Sequence, residues 1–427
     1  MDEGVIASNP TAERVGRYRW VICGLLFAAT VINYIDRQML GVLKPLLSDE
    51  LAWTETDYAN IVFWFQAAYA LSYVFFGRFI DRVGARLGYA VAFVVWQIAH
   101  IAHAGAHGLV QFIAVRVALG IGEAGSFPAG LKAVTEWFPK RERAFATGIF
   151  NAGSNVGAII TPLVVPAITI AWGWRAAFVV TGVLSLLWLV AWLAVYKVPR
   201  ESKRVGAAEL AHIESDPADP EHKIGWGKVL RKRETWAFAA AKFLTDPIWW
   251  MFLFWLPDFF AKTYHLDLKS FGPPLVAVYI LADIGSVGGG WLSLKLIRGG
   301  RTVNFGRKTA MLICALLVTP VVFAQEVQSL WLAVLIIGVA AAAHQGFSAN
   351  LFNLPGDVFP RRAVASVVGI GGMFGAVGGM IFAKYTGYVL DKLGTYTPMF
   401  IIAASAYLIG LLIVHLLSPR LQPVDVR

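Results

Sequence analysis

Apolar residues in this chain come in long, nearly unbroken runs separated by short polar clusters, not at the spacing of a half-buried helix or strand. Twelve runs stand out: 20–41, 58–78, 87–106, 109–132, 144–167, 174–196, 236–257, 273–297, 309–325, 329–353, 363–386 and 398–418. Each approaches the roughly 20 residues that a helix needs to cross the hydrocarbon core of a bilayer. A helix also satisfies its own backbone in lipid, which an open strand does not. The pattern therefore predicts an all-α integral membrane protein of twelve transmembrane helices. One connection is long: residues 197–235 are polar, rich in charge and proline, and divide the runs six and six. The predicted organisation is an N-terminal segment (1–19), a six-helix bundle (20–196), a cytoplasmic linker (197–235), a second six-helix bundle (236–418) and a tail (419–427). Residues 1–19 are polar and the first apolar run is followed by many more, so no cleavable signal is expected.

Composition agrees with this. Hydrophobic residues make up 57% of the chain and charged residues only 15%, against about 25% charged in ordinary soluble domains. A soluble core of this size has no place for so much apolar surface, whereas a bilayer has. The net charge of +10 raises the question of nucleic acid, but its placement answers differently. Basic residues concentrate in alternate short loops: Arg78, Arg82 and Arg86; Lys140, Arg141 and Arg143; Arg298, Arg301, Arg307 and Lys308; Arg361 and Arg362. The intervening loops are poor in them. Lysine and arginine mark the cytoplasmic side, which puts both termini in the cytoplasm and implies no nucleic-acid partner. Cys23 and Cys314 lie in separate apolar runs and read as packing residues, with no metal or redox spacing.

The two halves resemble each other. A shift of 221 residues pairs Phe138-Pro139 with Phe359-Pro360, and Gly125, Gly148, Gly157 and Gly173 with Gly346, Gly369, Gly378 and Gly394. Two repeats of six helices form the architecture in which a transport site lies between halves near the bilayer midplane.

Charges inside the runs are the candidate chemistry, because each costs about 3 kcal/mol on insertion scales. Asp36 and Arg37 end the first run. Arg116 and Glu123 lie in the fourth, seven residues apart and so on one helix face. Arginine binds a carboxylate bidentately, and a carboxyl in a partly dry cavity can take up and release protons in the working pH range. Two cations and two carboxylates suit a proton-coupled carrier of anions. Neutral polar residues suited to sugar hydroxyls accompany them: Tyr34, Tyr69 with Gln66, Ser154 and Asn155, and in the tenth run His344, Gln345, Ser348, Asn350 and Asn353. Tyr34, Tyr69 and Asn155 are read as substrate contacts. For His344, which the repeat offset pairs with Glu123, a satisfied core histidine and a ligand or gate both stay open. Lys242 and Asp246 are spaced to pair with each other. Glycines at Gly153 and Gly157 and at Gly371, Gly375 and Gly379 recur every four residues and read as helix-packing positions. The aromatic stretch from Trp249 to Phe260 reads as an interfacial belt rather than a sugar-stacking wall.

Two sets of segments carry a family resemblance. GRFIDRVGARLG, from Gly77 to Gly88, closely resembles the signature loop of the major facilitator superfamily: glycine, two residues, an apolar residue, Asp-Arg, one residue, glycine and a basic pair. Ala85 replaces the first basic residue. The equivalent 299–308 loop keeps Gly306-Arg307-Lys308 but lacks the aspartate. By this resemblance Gly77, Asp81, Arg82 and Gly84 form a gating motif, with Asp81 latching the cytoplasmic closure against an arginine or a helix N-terminus. NYIDRQ (33–38), RVALGIGEAGSFPAG (116–130), FNAGSNVGAIITP (150–162), KFLTDPIWWMFLFWLPDF (242–259) and the segment 344–379 resemble the anion:cation symporter branch, most of all its hexuronate transporters. That resemblance implies symport of a sugar-acid anion with protons by alternating access. It assigns Arg37 to the substrate carboxylate and Asp36 and Glu123 to proton coupling, with Arg116 pairing with Glu123; Tyr34, Tyr69, Ser154, Asn155, His344 and Asn350, read above from their residue types, complete the candidate substrate set. It also implies a multi-pass protein of the bacterial inner membrane, monomeric, without cofactor or metal, driven by the proton gradient.

Alternatives remain a carrier of another organic anion (an aldonate, aldarate or aromatic acid) and, less favoured, a membrane receptor or enzyme. The GIGEAG string at 120–125 lies within an apolar helix, not after a strand, and is discounted as a dinucleotide motif. No Walker loop, zinc spacing, nucleophile elbow or large extramembrane loop supports catalysis.

Overall fold

In the computed structural model the described residues are 15–216 and 226–425. The expectations for residues 1–14, the middle of the linker, the last two residues and the side chains of Arg361 and Arg362 lie outside them. The described residues are helical throughout: α1 (Tyr18–Leu51), α2 (Glu55–Ala102), α3 (Leu109–Glu123), α4 (Ser126–Trp137), α5 (Lys140–Trp172), α6 (Trp174–Val195), α7 (Ala207–Ile213), α8 (Trp226–Leu230), α9 (Arg233–Tyr264), α10 (Gly272–Arg298), α11 (Val303–Val318), α12 (Leu330–Val358), α13 (Arg361–Leu393) and α14 (Thr397–Leu417).

Among them, ten helical stretches are long and apolar enough to cross a membrane. Runs 58–78 and 236–257 are also helical, within α2 and α9. Lys242, Asp246 and two prolines dilute the second. The second and third runs form one continuous stretch broken at Gly84, whose φ of 82° and ψ of 165° are not helical. Glycine adopts a positive φ without a Cβ clash, which makes it the residue for this reversal. The fourth run is instead broken between α3 and α4, immediately after Glu123.

Helix pairing follows the internal repeat. α1 packs along α5 as α9 packs along α13, and α2 packs along α3 as α10 packs along α12. Gly157 shows why small residues are needed: a Cβ there would lie 2.6 Å from the Val31 carbonyl oxygen of α1. Its repeat partner Gly378 meets the Phe243 carbonyl of α9 just as closely. Contacts between the repeats run through α1 with α9, α2 with α13 and α5 with α10. Part of the linker is not simply solvated. Glu209 of α7 accepts from the Arg19 backbone N–H at 3.0 Å and its guanidinium at 3.2 Å, and Arg19 also pairs with Glu142 of α5 at 2.9 Å.

Candidate functional site

Asp36 and Arg37 are consecutive in the middle of α1, so their side chains leave the helix about 100° apart and meet different neighbours. Asp36 points at α2, where its Oδ2 accepts from Trp96 Nε1 and Gln97 Nε2, both at 2.7 Å. Its Oδ1 faces His100 Nε2 at 3.3 Å. Arg37 points at α3. Its Nε and Nη2 both donate to Glu123 Oε2, each at 2.8 Å. Around the guanidinium stand the rings of Tyr69 at 4.9 Å, Tyr34 at 5.1 Å, Trp250 at 5.4 Å and Phe65 at 5.7 Å. Trp250 comes from α9, in the other repeat. Each such ring contributes about 0.5–2 kcal/mol of cation–π attraction.

Arg116 departs from the expectation that it pairs with Glu123. It and Glu123 do share a face of α3, but two turns separate them by about 10 Å along the axis. Its guanidinium donates instead to the backbone carbonyl of Arg37, at 3.2 and 3.3 Å, and lies 5.4 Å from the Phe65 ring. Glu123 thereby goes to Arg37. All four charged side chains are buried, with Glu123 at 0% exposure and Arg37 at 5%.

The neutral residues divide. Tyr34 and Tyr69 stand at the Arg37 cage. Ser154 sits beside Tyr34 and donates to the Asn151 carbonyl at 2.7 Å, while Asn155 reaches Asp283 of α10. His344 lies one layer back. Its Nδ1 is 2.7 Å from Tyr407 Oη, and its ring stacks on Trp249 at 5.3 Å. Asn350 is drawn elsewhere: its Nδ2 donates to the carbonyls of Gly289 and Gly346, both at 2.9 Å, tying α12 to α10 with 0% exposure. Its geometry is that of a helix tie, and the substrate assignment for it is not carried forward. Lys242 and Asp246 pair at 2.7 Å, with Lys242 4.0 Å from the Phe352 ring centre.

The loop motif is partly assembled. Gly84 makes the reversal, Gly77 lies about two turns before it in α2, Arg82 is exposed, and Asp81 lies 3.9 Å from Lys132 of α4. In the second repeat, Arg307 pairs with Asp357 at 3.0 Å.

Three features escaped sequence reasoning. Phe252, Phe254, Trp255, Phe259 and Phe260 are at most 1% exposed, so the predicted interfacial belt is corrected to a protein-facing wall. Second, a buried ion network closes the end of the molecule opposite the termini. Lys44 reaches Asp258 at 2.6 Å and Glu55 at 2.9 Å, Lys262 reaches Asp258 at 3.1 Å, and Lys262 also pairs with Glu55 and Tyr396 with Asp258. Asp391 accepts from the backbone N–H groups of Glu55 and Thr56, at 2.9 Å each. Third, His100 and His103 accompany Asp36. Their signal was present, as two imidazoles in an apolar run, but nothing in the spacing named their partner.

The Major Facilitator Superfamily profile matches residues 26–383. A hexuronate transporter of Escherichia coli K12 is 32% identical over 415 residues, covering 96% of both chains. A galacturonate transporter of Dickeya chrysanthemi is 33% identical over 65% of this chain and 81% of its own. A D-galactonate transporter of Escherichia coli O6:H1 is 28% identical, covering 96% of this chain and 97% of its own. Among solved structures, a bacterial homologue of the human lysosomal transporter Spinster, in an inward-facing and unoccupied conformation, has the same fold, with a TM-score of 0.72, 17% identity, and coverage of 97% of this chain and 96% of its own.

Proposed function

This chain belongs to the major facilitator superfamily, a multi-pass membrane transporter and not an enzyme, and we propose that it carries hexuronate anions into the cell together with protons. The observation that carries this reading is the Arg37–Glu123 pair inside the aromatic cage. A sugar carboxylate and the Glu123 carboxylate compete for the same guanidinium. While Glu123 is ionised it holds Arg37, and the site repels a second anion. Protonation of Glu123 ends the charge-assisted bonds, frees Arg37 for a bidentate carboxylate partner, and keeps the net charge of the buried site unchanged when the anion arrives. Anion and proton then load together and leave together, which is the requirement for coupling. Tyr34, Tyr69 and Trp250 supply faces and hydroxyls for the sugar. Asp36, held by Trp96 and Gln97, is the second proton site.

Several finer statements belong to the same reading. The two legs of α2 and the helix α9 are counted as spans, giving twelve in two six-helix halves, 20–196 and 236–418, joined by the 197–235 linker. Both termini lie in the cytoplasm of a bacterial inner membrane, by the placement of lysine and arginine. The halves rock about the central site, with the Lys44–Asp258–Glu55 network shutting the outer side. The carrier works as a monomer and needs no cofactor beyond the proton gradient. The 28% identical D-galactonate carrier favours, as a second reading, an aldonate substrate that shares the carboxylate and differs in the ring.

The test is transport in proteoliposomes under an imposed pH gradient, with labelled glucuronate and galacturonate and with galactonate as competitor. Glu123→Gln, a fixed mimic of the protonated state, is expected to lose gradient-driven accumulation while counterflow exchange at equal pH survives. Normal accumulation in that variant would sink the coupling role. Stronger inhibition by galactonate than by unlabelled hexuronates would move the substrate to the aldonates.

A further inference from the structure

Asp36 Oδ1 is buried without a hydrogen-bond partner, and so are His100 Nδ1 and His103 Nε2. Asp36 of α1 faces His100 of α2, His103 follows about one turn later, and the hydrogen bonds around them settle which nitrogens carry protons. Thr181 Oγ1 donates to the Ala177 carbonyl at 2.7 Å, so towards His100 Nε2, 2.8 Å away, it is an acceptor. His100 Nε2 therefore holds the hydrogen, directed at Thr181, while Asp36 Oδ1 stands 3.3 Å from the same nitrogen without accepting from it, and Nδ1 holds a bare lone pair. His103 Nδ1 lies 2.8 and 3.2 Å from the carbonyls of Ala99 and His100. Both partners are acceptors, so Nδ1 carries the hydrogen and Nε2 is bare.

Two core histidines serving only packing would use both ring nitrogens or turn the unused one to solvent. Here each keeps one basic nitrogen open in the protein interior, with ring centres 6.3 Å apart. His103 opens the short turn His103–Gly105 that follows α2, and the chain emerges at Gly105 and His107, at the end opposite the termini. From α1 the charged group facing this line is Asp36. From α3 they are Arg116, which faces both imidazoles, and Glu123, which faces Asp36. α6 contributes the neutral Thr181 and Phe178, the latter stacked on His103 at 4.9 Å. The substrate cage around Arg37 lies on the other side of α1.

We propose that His100 is a proton-transfer residue for Asp36, and that His103 and His100 form a proton route to it distinct from the sugar path past Arg37. This rests on the proton-coupled reading above. In the step, a proton from water binds His100 Nδ1. The Nε2–H bond then breaks as the Asp36 Oδ1–H bond forms, leaving a neutral ring with its hydrogen on Nδ1 and a neutral carboxyl. Exchange with water restores the starting tautomer once the site reopens. Such a route lets Asp36 be protonated from outside while the Lys44–Asp258 network keeps the sugar path shut.

His100→Gln in the full-length protein tests it, because glutamine can keep an N–H toward Asp36 and Thr181 but relays no proton. In proteoliposomes with labelled glucuronate, its gradient-driven uptake is expected to fall at least about 10-fold, the low side of what a positioned acid–base group contributes. Counterflow exchange at equal pH stays within about 2-fold, since Arg37 and Glu123 are untouched. Equal losses in both assays would mean a structural role and overturn the proposal, as would an unchanged gradient-driven rate and pH profile. His103→Gln leaves every contact of Asp36 in place and reads the outer part of the route, with the same selective loss expected. A wild-type gradient-driven rate in it overturns the route even if His100→Gln does not fold. Absence of gradient-driven uptake in the wild type defeats instead the proton-coupled reading itself.

Discussion

Glu123 and His344 stand at equivalent positions of the repeat, yet one accepts from Arg37 at 2.8 Å and the other is a ring stacked on Trp249 and bonded to Tyr407. The contrast extends to their neighbours. Arg116 corresponds to Ile337, and Ser154 and Asn155 to Gly375 and Ala376. The backbone frame is retained in both halves, down to the close approaches at Gly157 and Gly378. The chemistry is not. On the proposed reading, the charges that a proton unpairs are in the first half, where Arg37 and Glu123 meet. The second half supplies the Trp250 face, a small-residue surface on α13, the Lys242–Asp246 pair and the acid of the closing network, Asp258. On that reading the halves share a backbone frame and divide the chemistry.

Three experiments probe this division, in decreasing order of effect. Lys242 and Asp246 are the main intramembrane ion pair of the second half, and the comparison treats them as structural. Lys242→Met strands a buried carboxylate and is expected to destabilise the protein by about 3–5 kcal/mol. Adding Asp246→Asn should recover most of that in a thermal-unfolding assay, with the KM for the sugar acid close to wild type. A double variant that regains stability but not transport would place this pair in the substrate path and break the comparison. Arg37→Lys keeps the charge but loses the planar fork, so uptake should fall by about 100-fold, equivalent to about 2.7 kcal/mol. A loss below about 5-fold would show that a point charge suffices and that bidentate recognition is not the basis of binding. Asn350→Ala removes a tie between α12 and α10. The expected cost is about 1 kcal/mol of stability with KM unchanged, and a raised KM at unchanged stability would return Asn350 to the site.

Much of the fold was legible because its cause is local. Hydropathy sums over neighbouring residues, and lipid penalises any run that is not apolar. That logic located the helices, including the one diluted by Lys242 and Asp246 in α9; among the described residues ten stretches meet the strict length and composition requirement. It failed at the aromatic stretch of α9, because exposure to lipid and exposure to protein select similar residues. It also missed the docking of Glu209 on Arg19, 190 positions away in sequence.

The candidate site was legible as a set of residue types and illegible as a set of partners. Asp36, Arg37, Arg116 and Glu123 announced themselves by the expense of a charge in an apolar run, and their number suggested an anion carrier. Which of them touch depends on the rotation of each helix about its axis, at about 100° per residue, and on the depth at which helices cross. Arg37 and Glu123 are 86 positions apart, and Gln97 lies 61 positions from Asp36. No periodicity within one run contains that information. The sequence by itself determined a polytopic helical transporter built from a repeat, with a few buried charges, since those properties follow from what each segment does in lipid. Only the tertiary structure decided that Glu123 holds Arg37, that Arg116 holds its carbonyl, and that two histidines stand behind Asp36, because pairing is set by how separate helices pack.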